Sequence, residues 1–472
     1  MRRLWIGLIA VLVVSFAVLG FVGTRIYQLA PPIPDRVVTR DGKVVFELGD
    51  VAAGQDVWRS FGGMELGSIW GHGAYVAPDW TADWLHRELT DVLDVWSPGE
   101  GAPRYAVLAP ERQAALRERL TREYRTNTYD AGSRTVTVSP ERARAIEHNV
   151  AYYTRLFADG NDQYALPRGT VVEPARARTL SAFFFWSAWA AATERPGDSI
   201  TYTSNWPHEP LIHNVPTSDA VVWTGVSILV LLAGIGGLGF WHAARRKDDA
   251  PAALPEHDPL LGSAPTPSQL ATVKYFWVVC GLFVLQLLVG IITAHYGVEG
   301  SSFYGIPLAK ILPYSVARTW HVQLGIFWIA TAWLASGLAI APSVGKEPRG
   351  QKLLVNVLFG ALVVVVLGSL VGELVAVHGD LGASAVWWFG HSGYEYIDLG
   401  RFFQIALLIG LVLWVVLVAR ALAPALRRRD AQRPLLVMLL ISTIAIGGFY
   451  FAALGAGQHT NLAIAEYWRW WV

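Results

Sequence analysis

Apolar residues along this chain gather into long unbroken runs, not into helical stripes or alternating strands. Seven runs come close to or exceed the roughly 20 residues an α-helix needs to cross about 30 Å of hydrocarbon. They are Leu4–Val22, Ala220–Trp241, Tyr275–Ala294, Val322–Ile340, Leu353–Val377, Phe402–Leu422 and Leu435–Leu454. The pattern therefore predicts seven membrane helices. The first follows Arg2-Arg3, but its apolar stretch is too long for a secretory signal and no small-x-small cleavage site precedes the next charges, so it reads as a retained anchor. If all seven cross, Arg2-Arg3, Arg245-Arg246-Lys247, Lys346/Arg349/Lys352 and Arg427-Arg428-Arg429 share one side, which is the cytoplasmic side. The loops 295–319 and 378–401 carry fewer basic residues and fall outside, as do residues 455–472.

Between the first two runs lies a polar stretch long enough for one soluble domain. Alternation over Lys43–Leu48 and Thr135–Val138 predicts strands, and apolar spacing within Arg104–Thr126 predicts a helix. The domain plan is an anchor over 1–23, an α+β extracytoplasmic domain over 24–218, a second membrane helix over 219–247, a Pro/Ala/Asp-rich linker over 248–270, and a polytopic all-α membrane bundle over 271–472. No repeat of 20–50 residues is apparent.

Composition agrees. Of 472 residues 53% are hydrophobic and only 16% charged, against roughly 25% charged in soluble domains. With 38 basic and 37 acidic residues, nothing points to nucleic acid. The single cysteine, Cys280, excludes a disulfide scaffold, a thiolate zinc site and a Cys-x-x-Cys-His haem attachment.

Among twelve histidines, His295 and His321 lie in or beside an apolar run, where ionisable groups usually serve a function. A neutral imidazole at His321 suits axial ligation of haem iron, with Gly325 leaving room for a macrocycle and Arg318 able to pair a propionate. A histidine that merely hydrogen-bonds a neighbouring helix fits the same spacing. His295 and Glu299 share a face if their helix persists, whereas Gly297 and Gly300 predict fraying into a small pocket with Phe303 and Tyr304. An imidazole and a carboxylate so placed suit a quinol, which sheds two protons as it gives up two electrons; ordinary interfacial polar residues are the plainer reading. Glu373, near the outer end of the fifth run, is either a proton-path residue or a snorkelling end residue. Glu395 and Asp398 offer oxygen ligands of the kind calcium takes, too few for a complete site. Trp58, Trp70, Trp80 and Trp84 read as core or interfacial aromatics.

Taken in order, several motifs resemble the front part of a quinol-dependent nitric oxide reductase of the fused single-chain type, in the haem-copper oxidase superfamily. They are the retained anchor, Gly54-Gln-Asp-Val-Trp-Arg-Ser-Phe-Gly-Gly-Met-Glu-Leu-Gly-Ser-Ile-Trp-Gly-His-Gly, Asn205-Trp-Pro-His-Glu-Pro, Thr293-Ala-His-Tyr-Gly-Val-Glu-Gly, Arg318-Thr-Trp-His-Val-Gln-Leu-Gly-Ile-Phe-Trp-Ile-Ala and Gly393-Tyr-Glu-Tyr-Ile-Asp-Leu-Gly-Arg. The resemblance implies an incomplete haem-copper oxidase-like bundle and a soluble domain like a cytochrome c without its haem. It implies His321 as a ligand of low-spin haem b, and His295, Glu299 and Phe303 around a quinol. Glu395 becomes a calcium or water site near the haem propionates. The implied reaction turns two NO, two electrons and two protons into N2O and water, in a bacterial cytoplasmic membrane with the soluble domain outside. Implied partners are membrane lipid, quinol and nitric oxide, with a homodimer as the candidate assembly.

The family's binuclear-centre ligands belong to helices after Trp468-Arg-Trp-Trp-Val472. Haem b3 and the non-haem iron are therefore expected only with the full-length protein, and these 472 residues alone are not expected to be competent. Two further readings stay open: a truncated membrane module that binds haem or acts as a scaffold without catalysis, and a quinol oxidase using oxygen.

Overall fold

In hydrocarbon the backbone must satisfy its own N–H and C=O groups, so long apolar runs can only become helices. The computed structural model describes residues 2–245, 263–391, 398–428, 432–452 and 454. Helix α1 (Arg2–Leu29) leads into the soluble domain, which contains β1 (Arg36–Thr39), β2 (Val44–Phe46), α2 (Asp50–Ser60), α3 (Trp80–Trp96), α4 (Pro110–Arg125), β3 (Tyr129–Asp130), β4 (Thr135–Val138), α5 (Pro140–Asp159) and α6 (Pro174–Ala192). The bundle follows as α7 (Ser218–Arg245), α8 (Pro267–Glu299), α9 (Tyr314–Val344), α10 (Gln351–Val377), the short α11 (Ala383–Phe389), α12 (Arg401–Arg427) and α13 (Arg433–Ala452). Among the described residues seven helices are long and apolar enough to span a membrane, one on each predicted run.

Local chemistry sets the soluble elements. Asp79 caps α3 by accepting from the Ala82 N–H, and Ser139 caps α5 by accepting from the Arg142 N–H. The helix expected from Arg104 starts at Pro110 instead, because Ala109 is extended and the proline occupies the first turn. Only a short 3₁₀ turn, Tyr105–Val107, forms ahead of it. The sheet runs β2-β1-β4-β3, with β1 and β4 parallel and the outer pairs antiparallel. Helix α6 is the axis of the domain, buried without a break from Leu180 to Ala192. Around it stack Trp80 on Phe184 at 5.6 Å and Trp84 on Tyr153 at 5.3 Å. All four tryptophans singled out from the sequence are core residues. One charged network is sealed beside them. Fully buried Glu88 accepts from Trp84 Nε1 (2.6 Å), Tyr124 Oη (3.0 Å) and Arg142 Nε (2.6 Å), joining α3, α4 and α5.

The membrane helices outrun their apolar cores. At 33 residues α8 is about 50 Å long; it packs on α9, while α10 packs on α12. The soluble domain is seated on the bundle. Arg318 of α9 pairs with Glu65 (Nε–Oε2 3.1 Å), and Ser301 donates to Asp162 (3.0 Å). Arg59 lies over the Trp387 ring at 5.3 Å. Gly62 (φ +69°) comes so close to Ser315 that a Cβ there would meet Ser315 Cβ at 2.9 Å.

Candidate functional site

His321 lies two turns into α9, which begins at Tyr314. Its Nδ1 is 3.0 Å from the Gln286 carbonyl of α8. A carbonyl can only accept, so Nδ1 carries the proton and Nε2 keeps its lone pair. The ring is close to α8 because residue 290 is glycine: a Cβ there would meet His321 Cε1 at 2.8 Å and Nδ1 at 2.9 Å. The Gln286 side chain is itself held, its Oε1 accepting from Trp328 Nε1 at 2.7 Å. The space over Gly325, expected to admit a macrocycle, is taken by that amide, 2.7 Å from where a Cβ would stand.

At the end of α8 the fraying expected from Gly297 and Gly300 does not occur. The helix continues through Glu299 and stops at Gly300 (φ +65°); Gly297 instead accommodates Tyr75 of the soluble domain. His295 and Glu299 therefore share one face, with Nε2 and Oε2 3.4 Å apart. The next loop folds back over them. Phe303 meets the imidazole edge-on at 4.7 Å and Tyr304 stacks on it at 4.5 Å. Glu299 also accepts from Ser302 Oγ (2.7 Å) and the Gly305 N–H (3.2 Å). Four residues singled out from the sequence thus form one cluster at the mouth of α8.

Arg318 is already engaged. Besides the Glu65 carboxylate it donates to the Glu65 carbonyl at 3.0 Å. Glu373 does not snorkel: it is fully buried near the end of α10, beside two groups from the α11–α12 connection, His391 and Asp398. One donor atom from each of the three lies within 4.8 Å of the others. His391, which the pattern assigns to a polar loop, is fully buried, and burial holds its imidazole below the usual range and hence neutral. Nothing in the local sequence signals this. Glu395 lies outside the described residues.

A cavity of about 1090 Å³ opens between the soluble domain and the bundle, lined by Asp56, Arg59, Asp162, Arg176, Lys310 and His378 among others. It reaches Ser315 and Ala376, close to Glu373, and does not touch His295 or His321.

Two comparisons bear on this arrangement. Residues 34–208 match the family described as the NorB cytochrome c-like domain of nitric oxide reductase. Residues 270–472 match cytochrome C and quinol oxidase polypeptide I. Together they span about four fifths of the chain. No curated protein was found to match it.

Proposed function

Because the chain belongs to the nitric oxide reductases of the NorB type, a haem- and iron-dependent branch of the haem-copper oxidases, we propose that it draws electrons from a membrane quinol to reduce NO to N2O. The balanced reaction is 2 NO + 2 e⁻ + 2 H⁺ → N2O + H2O. The observation that carries the quinol is the His295 cluster: an imidazole between two aromatic rings, 3.4 Å from a carboxylate, at the end of a membrane helix. The exposed outer face of Tyr304 offers a flat wall to a ring-shaped donor, Phe303 backs the imidazole edge-on, and His295 Nε2 and Glu299 Oε2, 3.4 Å apart, can grip one hydroxyl. As electrons leave, Glu299 takes the hydroxyl proton, and its hydrogen bonds from Ser302 and Gly305 keep the carboxylate aimed.

The donor chemistry of His321 fits a haem iron, with room for the ring coming from a side other than Gly325. Its Nδ1–H donates to a backbone carbonyl, the arrangement that fixes the tautomer of metal-ligating histidines, and Nε2 is left as the donor. Bound haem would supply one-electron relay from the quinol toward the NO-reducing centre. The basic clusters favour a reading in which the soluble domain, the His295 cluster and Glu373 lie at the outer face of a bacterial cytoplasmic membrane.

The test is Glu299→Ala in the full-length membrane-bound protein. Quinol-driven turnover should fall by about a hundredfold or more, while turnover with an artificial donor that bypasses the pocket stays within about twofold. Equal losses with both donors would remove Glu299 from the quinol site. His321→Ala should abolish low-spin haem absorbance; an unchanged band would refute its ligand role.

A further inference from the structure

We propose that Glu373, His391 and Asp398 form a binding site for a divalent cation of the zinc class, pinning the end of α10 to the α11–α12 connection beneath the soluble domain. All three side chains are buried to within 1% of full burial. Neither oxygen of Glu373 and neither ring nitrogen of His391 makes a hydrogen bond of ordinary geometry among the described residues, although the Ser60 backbone lies near enough to act on the imidazole. Buried polar groups are rarely left so, because each forfeits its interactions with water. Here two residues are left so together, aimed at each other and at Asp398.

The spacing points to an occupant between them. One donor atom from each lies within 4.8 Å of the others, yet the Glu373 and His391 atoms make no hydrogen bond to one another or to Asp398. A tetrahedral zinc with bonds of about 2.0–2.2 Å holds its donors about 3.4 Å apart, a separation that small side-chain rotations reach. The donor types select the class. Calcium takes oxygen ligands in sets of six to eight, whereas one imidazole with two carboxylates suits zinc and its neighbours, with a fourth position left for water.

Two nearby cations are engaged elsewhere. Arg318 is committed to Glu65, and Arg59 is paired with Asp56 at 2.9 Å. Gly62 of the soluble domain closes the site from above, a Cβ there lying 4.0 Å from Glu373 Oε1.

The experiment uses the purified chain in detergent, stripped with a chelator, then equilibrated with zinc alone and desalted. Elemental analysis should find one tightly held zinc per chain, and X-ray absorption at the zinc edge should show one imidazole in its shell. Glu373→Gln and His391→Ala should each weaken retention at least tenfold, while His148→Ala, an exposed histidine of the soluble domain, leaves it unchanged. Absence of retained zinc in the unaltered chain overturns the proposal and favours a proton station. So does a shell with no imidazole or with several, and so does retention of calcium but not zinc. Because the stoichiometry and the imidazole count come from the unaltered chain, a variant that fails to fold does not shield the proposal.

Discussion

Gly290→Ala probes the proposed haem ligand, His321, without touching it. The added methyl would lie 2.8 Å from His321 Cε1 and 2.9 Å from Nδ1. Ordinary contact begins near 3.4 Å, so the ring must retreat by about 0.6 Å. Gln286 and Gly290 are one turn apart on α8, so retreat from one is retreat from the other. The Nδ1···O distance of 3.0 Å then lengthens to about 3.6 Å, past the reach of a hydrogen bond. The loss is about 0.5–1.5 kcal/mol, and Nε2 is no longer held in aim, which typically lowers metal affinity about 10–100-fold. Alanine is the better helix former by about 0.8–1 kcal/mol, so α8 itself is not weakened. The expected signature is therefore a fall in low-spin haem per protein, measured by pyridine haemochrome and reduced-minus-oxidised spectra, with no drop in thermal stability. Gly281→Ala on the same helix is the control, since nothing lies within 4 Å of a Cβ there. Equal haem content in the two variants would refute the reasoning.

In the soluble domain, Arg142→Met strands the buried Glu88 carboxylate with only the Trp84 and Tyr124 donors. Breaking such a pair from one side costs about 3–5 kcal/mol, readable in denaturant melts; a loss below about 1 kcal/mol would show that the pair is not isolated from water. Asp79 should make stability depend on pH. Burial raises its pKa to about 6 despite donors from Ser68, Gly71 and Ala82, above about 3.9 for an unfolded aspartate. The native state then binds more protons between the two values, so this group's contribution to stability falls as pH rises from about 4 to 6, by up to about 3 kcal/mol. Asp79→Asn should flatten that slope, and an unaltered slope would take Asp79 out of the titration.

Much of the architecture follows from pattern alone. A backbone in lipid has no partner but itself, so each of the seven apolar runs had to become a helix, and each did. Thr135–Val138 forms a strand with the bounds that its alternation predicts. The shared face of His295 and Glu299 is equally local, a matter of four residues on a helix. Where local signals competed, as with the glycines at 297 and 300, tertiary contact decided: Tyr75 packs on Gly297 and the helix runs on.

Composition and periodicity thus establish which segments cross the membrane, where the soluble domain lies and which residue types are available for chemistry, because those properties depend on the solvent around each stretch of chain. Pairings between distant residues are of another kind. Arg318 meets Glu65 across 253 positions, His321 turns to α8 only because Gly290 lets it, and His391 leaves a polar loop to sit buried beside Glu373. Which face of a helix meets which neighbour is settled by the packing of whole elements, and no short window of sequence contains that information.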